Sequence, residues 1–377
     1  MKIFCYTDLQ ARAQNLFWHR DLGLLTKAFR ALGHDAWLVV HPATRSAREP
    51  KPATRYGPVI WAPPSEIRSP AWWKSHHPDL VILGLWTRPK YDPIRRAALS
   101  ATSRIIERAD SDGVRTASCG LDIYIRRRYD YCRDHTFRWP AVFSILCSAL
   151  YALGSVVATP WIEARLSKTL KLLPALTVET PKGTQLWKKL AAKLGADPKR
   201  IHCIPHPIQT DIFRRDPSAS KKNQIISVGR WESYQKNLPL LLRTLVSFLD
   251  QHPSWSALVI GSKLPRCSPH PRLFYSAPLS PLVLSKKMQE SKIFLSSSRY
   301  ESFGLAAAEA LASGCRVVAP QGVLDHLLFR QGLKHEPLVS CLASAALSPF
   351  SSPLATPPRV PSFSSTDIAA KFLDLIP

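Results

Sequence analysis

Apolar residues fall along the chain in two alternating patterns: short unbroken runs, and stripes at helical spacing. The runs KIFCY (2–6), AWLVV (36–40), DLVILGLW (79–86), RIIERAD (104–110) and LTVET (176–180) predict strands. Between them, Leu22 to Leu32, RRAALSATS (95–103) and the stretch from Pro181 to Leu194 predict helices. Unbroken apolar runs suit strands covered on both faces, so the alternation predicts a doubly wound parallel α/β domain. The basic, Pro-rich residues 42–70 read as a loop, and IHCIPHPIQTDIF (201–213) closes this half. The polar run RRDPSASKK (214–222) predicts a linker.

A second alternation follows at once. Strands are predicted at 224–229, 256–262 and 273–277, and helices at 238–249 and 281–290. They lead into IFLSSSRYESFGLAAAEALASGCRVVA (293–319), read as strand 293–297, helix 303–313 and strand 316–319. Gly304 marks the start of that helix, and Gly314 suits a left-handed cap at its end. Past Gln321 the pattern decays. Residues 343–364 are rich in Ser and Pro and predict low order, and 365–376 predict a terminal helix capped by Ser365 or Thr366. The predicted organisation is a first domain (1–213) with an insertion (114–172), the linker, a second domain (223–342), a low-order segment (343–364) and a terminal helix (365–377).

The insertion departs from the pattern. Arg126, Arg127, Arg128, Arg133 and Arg138 precede residues 141–162, which carry no charge. That stretch is open to three readings: a bilayer span, a membrane-surface element beside its basic and aromatic flanks, or a core helix or hairpin.

Composition sharpens the picture in one respect. The hydrophobic fraction of 45% is that of an ordinary globular protein, but the net charge is +24. Such a charge implies an anionic partner: nucleic acid, acidic lipid or a phosphorylated substrate. Eight scattered cysteines without a CxxC pair predict reduced thiols in a cytosolic protein. The start, MKIFCYTDLQ, turns polar too early for a signal peptide.

Candidate chemistry gathers in the second half. Arg230 follows the strand 224–229, and Lys236 lies in the turn before the next helix. Strand ends of open α/β sheets bind ligands, and a guanidinium with an ammonium can neutralise a diphosphate. The amides opening the helix near Gly304 add a phosphate seat, while a carboxylate further in can accept sugar hydroxyls. Glu301 and Glu309 stand on either side of that helix start.

The GR…KN spacing with YESFGLAAAEALASGCRVVA downstream resembles the retaining, nucleotide-sugar-dependent glycosyltransferases of the family-4 (group 1) type. IPHPIQTDIF is similar to their IPNGVD-type stretch, with His206 and Pro207 in place of Asn and Gly. The resemblance implies a GT-B fold, two Rossmann-like doubly wound domains facing across a cleft. It implies Arg230 and Lys236 on the donor diphosphate, Glu309 on the ribose hydroxyls, and Glu301 near the donor sugar, with Glu301, Arg230 and Lys236 catalytic. Gly229, Ser302, Phe303, Gly304 and Leu305 would complete the donor site. No metal and no cofactor are expected, the nucleotide-sugar being a substrate. The expected acceptor is a glycan or a lipid-linked molecule, met by a cytoplasmic protein resting on the inner membrane face through residues 126–162.

The sequence also departs from the family. The glycine-rich turn after the first strand is replaced by TDLQARAQNLFWHRD. Where relatives place a histidine, RIIERAD ends in Asp110, Ser111, Asp112 and Gly113. Asp110, Asp112 and His206 are candidate acceptor or sugar contacts; a plain turn, or a DxD cation motif of another fold, also accounts for the two aspartates. His19 is a further candidate for the cleft. A basic nucleic-acid-binding protein is the alternative of another class, but no helix-turn-helix, zinc finger or RNA-binding motif supports it. A GT-B-like epimerase is the alternative within the architecture.

Overall fold

The computed structural model describes residues 1–8, 18–41, 58–85, 91–109, 121, 125, 141–327, 338–347 and 363–376. Asp110, Asp112 and the arginines between 126 and 138 lie outside them. The chain forms two compact units, Met1–Pro207 with Phe363–Pro377, and Ile208–Ser362.

Among the described residues the first unit is built on seven strands: β1 (Lys2–Thr7), β2 (Asp35–Val40), β3 (Val59–Trp61), β4 (Leu80–Gly84), β5 (Ile105–Ala109), β6 (Ala175–Val178) and β7 (Ile201–Cys203). They lie in the order β3-β2-β1-β4-β5-β6-β7 with every pair parallel. Strand order reverses between β1 and β4, the place where such sheets open at their carboxyl ends. Period-two alternation decides the two faces. Phe4 and Tyr6 pack with Trp73 and Trp187 on one side, and Ile3 and Cys5 with Leu25 and Phe29 on the other. The connecting helices are α1 (Asp21–Ala31), α2 (Pro64–Ile67), α3 (Pro70–His76), α4 (Asp92–Leu99), α5 (Ala141–Val157), α6 (Thr159–Leu172) and α7 (Pro181–Lys193). The one carboxylate inside β5, Glu107, is fully buried and takes a two-pronged bond from Arg95 of α4 at 2.5 and 2.6 Å. That pairing is what lets a carboxylate sit in a core strand.

The second unit carries β8 (Lys222–Arg230), β9 (Ser256–Ser262), β10 (Leu273–Ser276), β11 (Ser291–Leu295) and β12 (Arg316–Val318), ordered β10-β9-β8-β11-β12 and parallel throughout. Its helices are α8 (Leu238–Gln251), α9 (Pro281–Glu290), α10 (Leu305–Ala312) and α11 (Leu338–Leu347). The last helix, α12 (Ser365–Leu373), returns to the first unit, where Ile368, Ala369 and Phe372 join Leu22, Leu25 and Phe29.

Several expectations are corrected. The residues 42–70 are not loop throughout, since β3 and α2 form within them. The units part at Pro207, ahead of the expected linker 214–222. Residues 208–214 already belong to the second unit: the carbonyls of Ile212 and Arg214 accept bonds from Ser285 and Gln289 of α9. Residues 343–347 are helical, within α11. The cap position of α12 is Ser364, one residue before the expected Ser365.

The stretch 141–162 is not one span. It divides into α5 and α6 because Pro160 has no N–H to offer the preceding turn. Among the described residues no helix is long and apolar enough to cross a membrane. From Leu146 onward, α5 exposes its large apolar side chains instead of burying them.

Candidate active site

The site in the second unit forms where β8 and β11, neighbours in the sheet, release their chains at their carboxyl ends. After β8 the chain turns through a short 3-10 segment, Tyr234–Lys236, and Asn237 enters α8 in the left-handed region at φ 52°. After β11 it runs through three buried serines to Glu301. The two turns are sewn together. Arg299 N donates to Gln235 O at 2.8 Å, Ser297 Oγ to Lys236 O at 2.7 Å, and Gln235 Nε2 to Tyr300 O at 2.8 Å.

Their side chains meet at Glu301. Lys236 Nζ donates to Glu301 Oε1 at 2.5 Å, and Ser298 Oγ to the same oxygen at 2.7 Å. Gln235 Nε2 reaches Oε2 at 3.2 Å. Both members of the ion pair are mostly shielded, Lys236 20% and Glu301 10% exposed. The carboxylate therefore fixes where the ammonium sits. Shielding strengthens such a pair relative to one in open water.

Glu301 precedes the helix, whose start lies two residues later than the expected 303. α10 begins at Leu305, and Gly304 precedes it at φ 83°. The positive φ favours glycine here, and a Cβ would lie 2.2 Å from Leu324 Cδ2, so any other residue would also have to displace that side chain. The Gly304 carbonyl accepts from Ala307 N and Ala308 N, starting α10 directly from the left-handed residue. Phe303 points its ring into the core at 1% exposure, leaving only its backbone for a ligand. Ser302, Leu305 and Glu309 are half-buried, and Glu309 stands one turn into α10. Arg230 is exposed at the end of β8, and Gly229 before it packs under the Trp231 ring. Lys236 and Glu301 are thus in direct contact. Arg230 lies at the mouth of the same strand.

Sequence reasoning missed three contributors. Gln235 and Ser298 hold Glu301, and nothing in their spacing marks them. His326 Nε2 sits 3.0 Å from the Phe303 carbonyl, which only accepts, so that nitrogen carries the proton. Burial holds this imidazole below its ordinary range, although the Phe303 carbonyl and Asp325 pull the other way. With Leu324, held at φ 62°, His326 braces the Phe303–Gly304 turn from behind.

In the first unit His206 is engaged with protein. Its Nδ1 lies 2.9 Å from Asp21 Oδ1, and Arg108 Nε lies 2.8 Å from the same oxygen. Burial raises the Asp21 carboxyl, but Arg108 and His206 outweigh it and bring it down to about 2. Arg108 also donates to Pro205 O at 3.0 Å. His206 thus fastens the end of the first unit to α1 and β5. A separate polar group caps β1: Tyr91 Oη donates to Asp8 at 2.6 Å, and His41 Nε2 lies 2.6 Å from Tyr6 Oη.

Residues 208–323 match the family model of glycosyl transferases group 1. The second unit is a group 1 glycosyltransferase domain. A D-inositol 3-phosphate glycosyltransferase of Acidothermus cellulolyticus is 26% identical over 166 residues, 36% of this chain and 37% of that protein. A GDP-mannose:cellobiosyl-diphosphopolyprenol alpha-mannosyltransferase of Xanthomonas campestris is 24% identical over 175 residues, 43% of this chain and 44% of that one. The match therefore spans less than half of either curated relative. Likeness of fold extends further. Anabaena HepE in complex with UDP and glucose superposes over 99% of this chain and 98% of its own, with a TM-score of 0.59 at 13% identity. An E. coli trehalose-6-phosphate structure bound with UDP-2-fluoro glucose gives 100%, 99%, 0.63 and 10%. The two parallel-sheet, Rossmann-like units are those of the GT-B fold.

Proposed function

We propose that the protein moves a sugar from a nucleoside-diphosphate donor onto a glycan or lipid-linked acceptor. The observation that carries this reading is the shielded Lys236–Glu301 pair, knitted beside a helix whose amides open at Gly304. Breaking the anomeric C–O bond leaves negative charge on the diphosphate and positive charge on the sugar. An ammonium already held in place, a guanidinium at the strand end and an open helix N-terminus all favour the first of these charges. These positive groups are the ones on which a metal-independent departure would rely.

In this reading Lys236 and Arg230 receive the diphosphate, and the backbone of Ser302, Phe303, Gly304 and Leu305 lies against it. Glu309 accepts the ribose hydroxyls. Glu301 positions Lys236 and faces the donor sugar. Retention of configuration is proposed on the family resemblance, with the acceptor arriving on the face that the leaving group vacates. Relatives support the substrate class: the solved structures named above carry UDP or a UDP-sugar, and the Xanthomonas relative is named for a diphosphopolyprenol acceptor. A lipid-linked acceptor also fits the proposed place of the protein on an anionic membrane surface.

The test is a thermal-shift panel of UDP, GDP and ADP on the purified chain. Saturable stabilisation by one of them is expected. No shift with any nucleoside diphosphate would overturn the reading.

A further inference from the structure

From Leu146 onward, the described side chains of helix α5 present large apolar groups to solvent around most of its circumference. Leu146, Leu150, Leu153 and Val157 are 54%, 61%, 62% and 71% exposed. Their spacing of four, three and four places them on one line along the helix. Tyr151 and Val156, also more than half exposed, flank that line. Together they cover an arc of roughly 220° at 100° per residue. The half-buried Ala152 and Ser155 lie on the opposite side.

The order of residue types changes at the helix end. Trp161 is 60% exposed, and the Arg165 guanidinium stands 6.0 Å from its ring. Lys168 and Lys171 follow, both exposed, on α6. Ahead of α5 the sequence holds five arginines between 126 and 138 against Asp130 and Asp134. Glu163, between Trp161 and these cations, is paired with Lys193 at 2.7 Å, so an uncharged helix is followed by an aromatic residue and exposed cations, the order found at a bilayer boundary.

We propose that α5 lies in the interface of an anionic membrane. Its leucine line sinks among the acyl chains, Trp161 stands at headgroup depth, and Lys168 and Lys171 meet the lipid phosphates, while Arg165 stays paired with Asp92 of α4. The 17 residues of α5 rise about 26 Å, short of the roughly 30 Å hydrocarbon core, so the helix rests in the surface. A second copy of the chain is a poorer occupant. A helix–helix seam covers a narrower stripe than this arc, and two chains of charge +24 repel at close approach. The surface stands apart from the transferase reading, although it would bring the protein to a lipid-linked acceptor.

The experiment is flotation with vesicles of phosphatidylcholine alone and of equal parts phosphatidylcholine and phosphatidylglycerol, at about 0.15 M salt. The wild-type chain should float with the anionic vesicles and much less with the neutral ones. Leu150→Glu with Leu153→Glu should weaken flotation by about tenfold or more, with circular dichroism and melting temperature unchanged. Lys168→Glu with Lys171→Glu, which leaves the apolar line intact, should abolish the preference for phosphatidylglycerol. Failure of the wild type to float overturns the proposal, as does full flotation of the leucine variant. A wild-type dimer in light scattering, dissociated by the leucine substitutions, would assign the face to a second copy.

Discussion

Glu301 accepts bonds from Lys236, Ser298 and Gln235, and only the first of these donors carries a charge. Removing Lys236 therefore takes away the cation proposed to meet the leaving diphosphate and leaves the carboxylate with neutral partners. Lys236→Ala is expected to lower turnover by roughly two or more orders of magnitude, read in steady-state kinetics. Near-normal turnover would remove Lys236 from the mechanism. Glu309 stands elsewhere on the same site, one turn inside α10, and its proposed partners are ribose hydroxyls present before and during reaction. Glu309→Ala should raise KM for the donor with a much smaller effect on kcat. Asp21 supplies a pH prediction. Its carboxyl titrates near 2 in the folded protein, below the ordinary value of about 4. Its contribution to stability is present above the ordinary value and lost as pH falls toward 2. The stability gap between wild type and Asp21→Asn should be full at pH 6 and close as pH drops through that window, as followed by urea unfolding. These roles were unequally legible. Arg230, Lys236, Glu301 and Glu309 show in the sequence through their company, but the Lys236–Glu301 contact joins residues 65 positions apart. Only the pairing of β8 with β11 makes it.

At the scale of elements, the turn into α10 is the most constrained. Gly304 takes a left-handed conformation that costs other residues about 1–2 kcal/mol, and the Leu324 side chain fills the space a Cβ needs. Gly304→Ala should destabilise the protein by about 2–4 kcal/mol in denaturant unfolding. Adding Leu324→Ala should recover the part due to collision and leave the conformational part. Strands were the easiest elements to read, because continuous apolar runs such as Val81 to Leu83 are buried on both faces. The expected helix start at 303 lies two residues early because propensity favours a helix through Phe303, whereas the left-handed Gly304 closes that path. α11 was hidden for another reason. Its serines and alanines resemble the composition of the Ser- and Pro-rich residues that follow it.

Across the whole molecule, the chain builds one sheet unit, crosses to a second, and sends α12 back to the first. Phe372 is fully buried there, with Arg108 stacked 5.5 Å from its ring centre. Phe372→Ala should cost roughly 3–5 kcal/mol, seen as a lower unfolding midpoint of the first unit. Nucleoside-diphosphate affinity of the second unit should stay near wild type. The two-unit architecture could be read from the repeated alternation of runs and stripes. That α12 returns could not, since nothing in residues 365–376 says which apolar surface they will cover. The return has a consequence for biosynthesis. While a ribosome is still making the second unit, the groove awaiting Phe372 beside Leu25 and Phe29 stands bare, so α1, made well before, stays unsealed until α12 emerges.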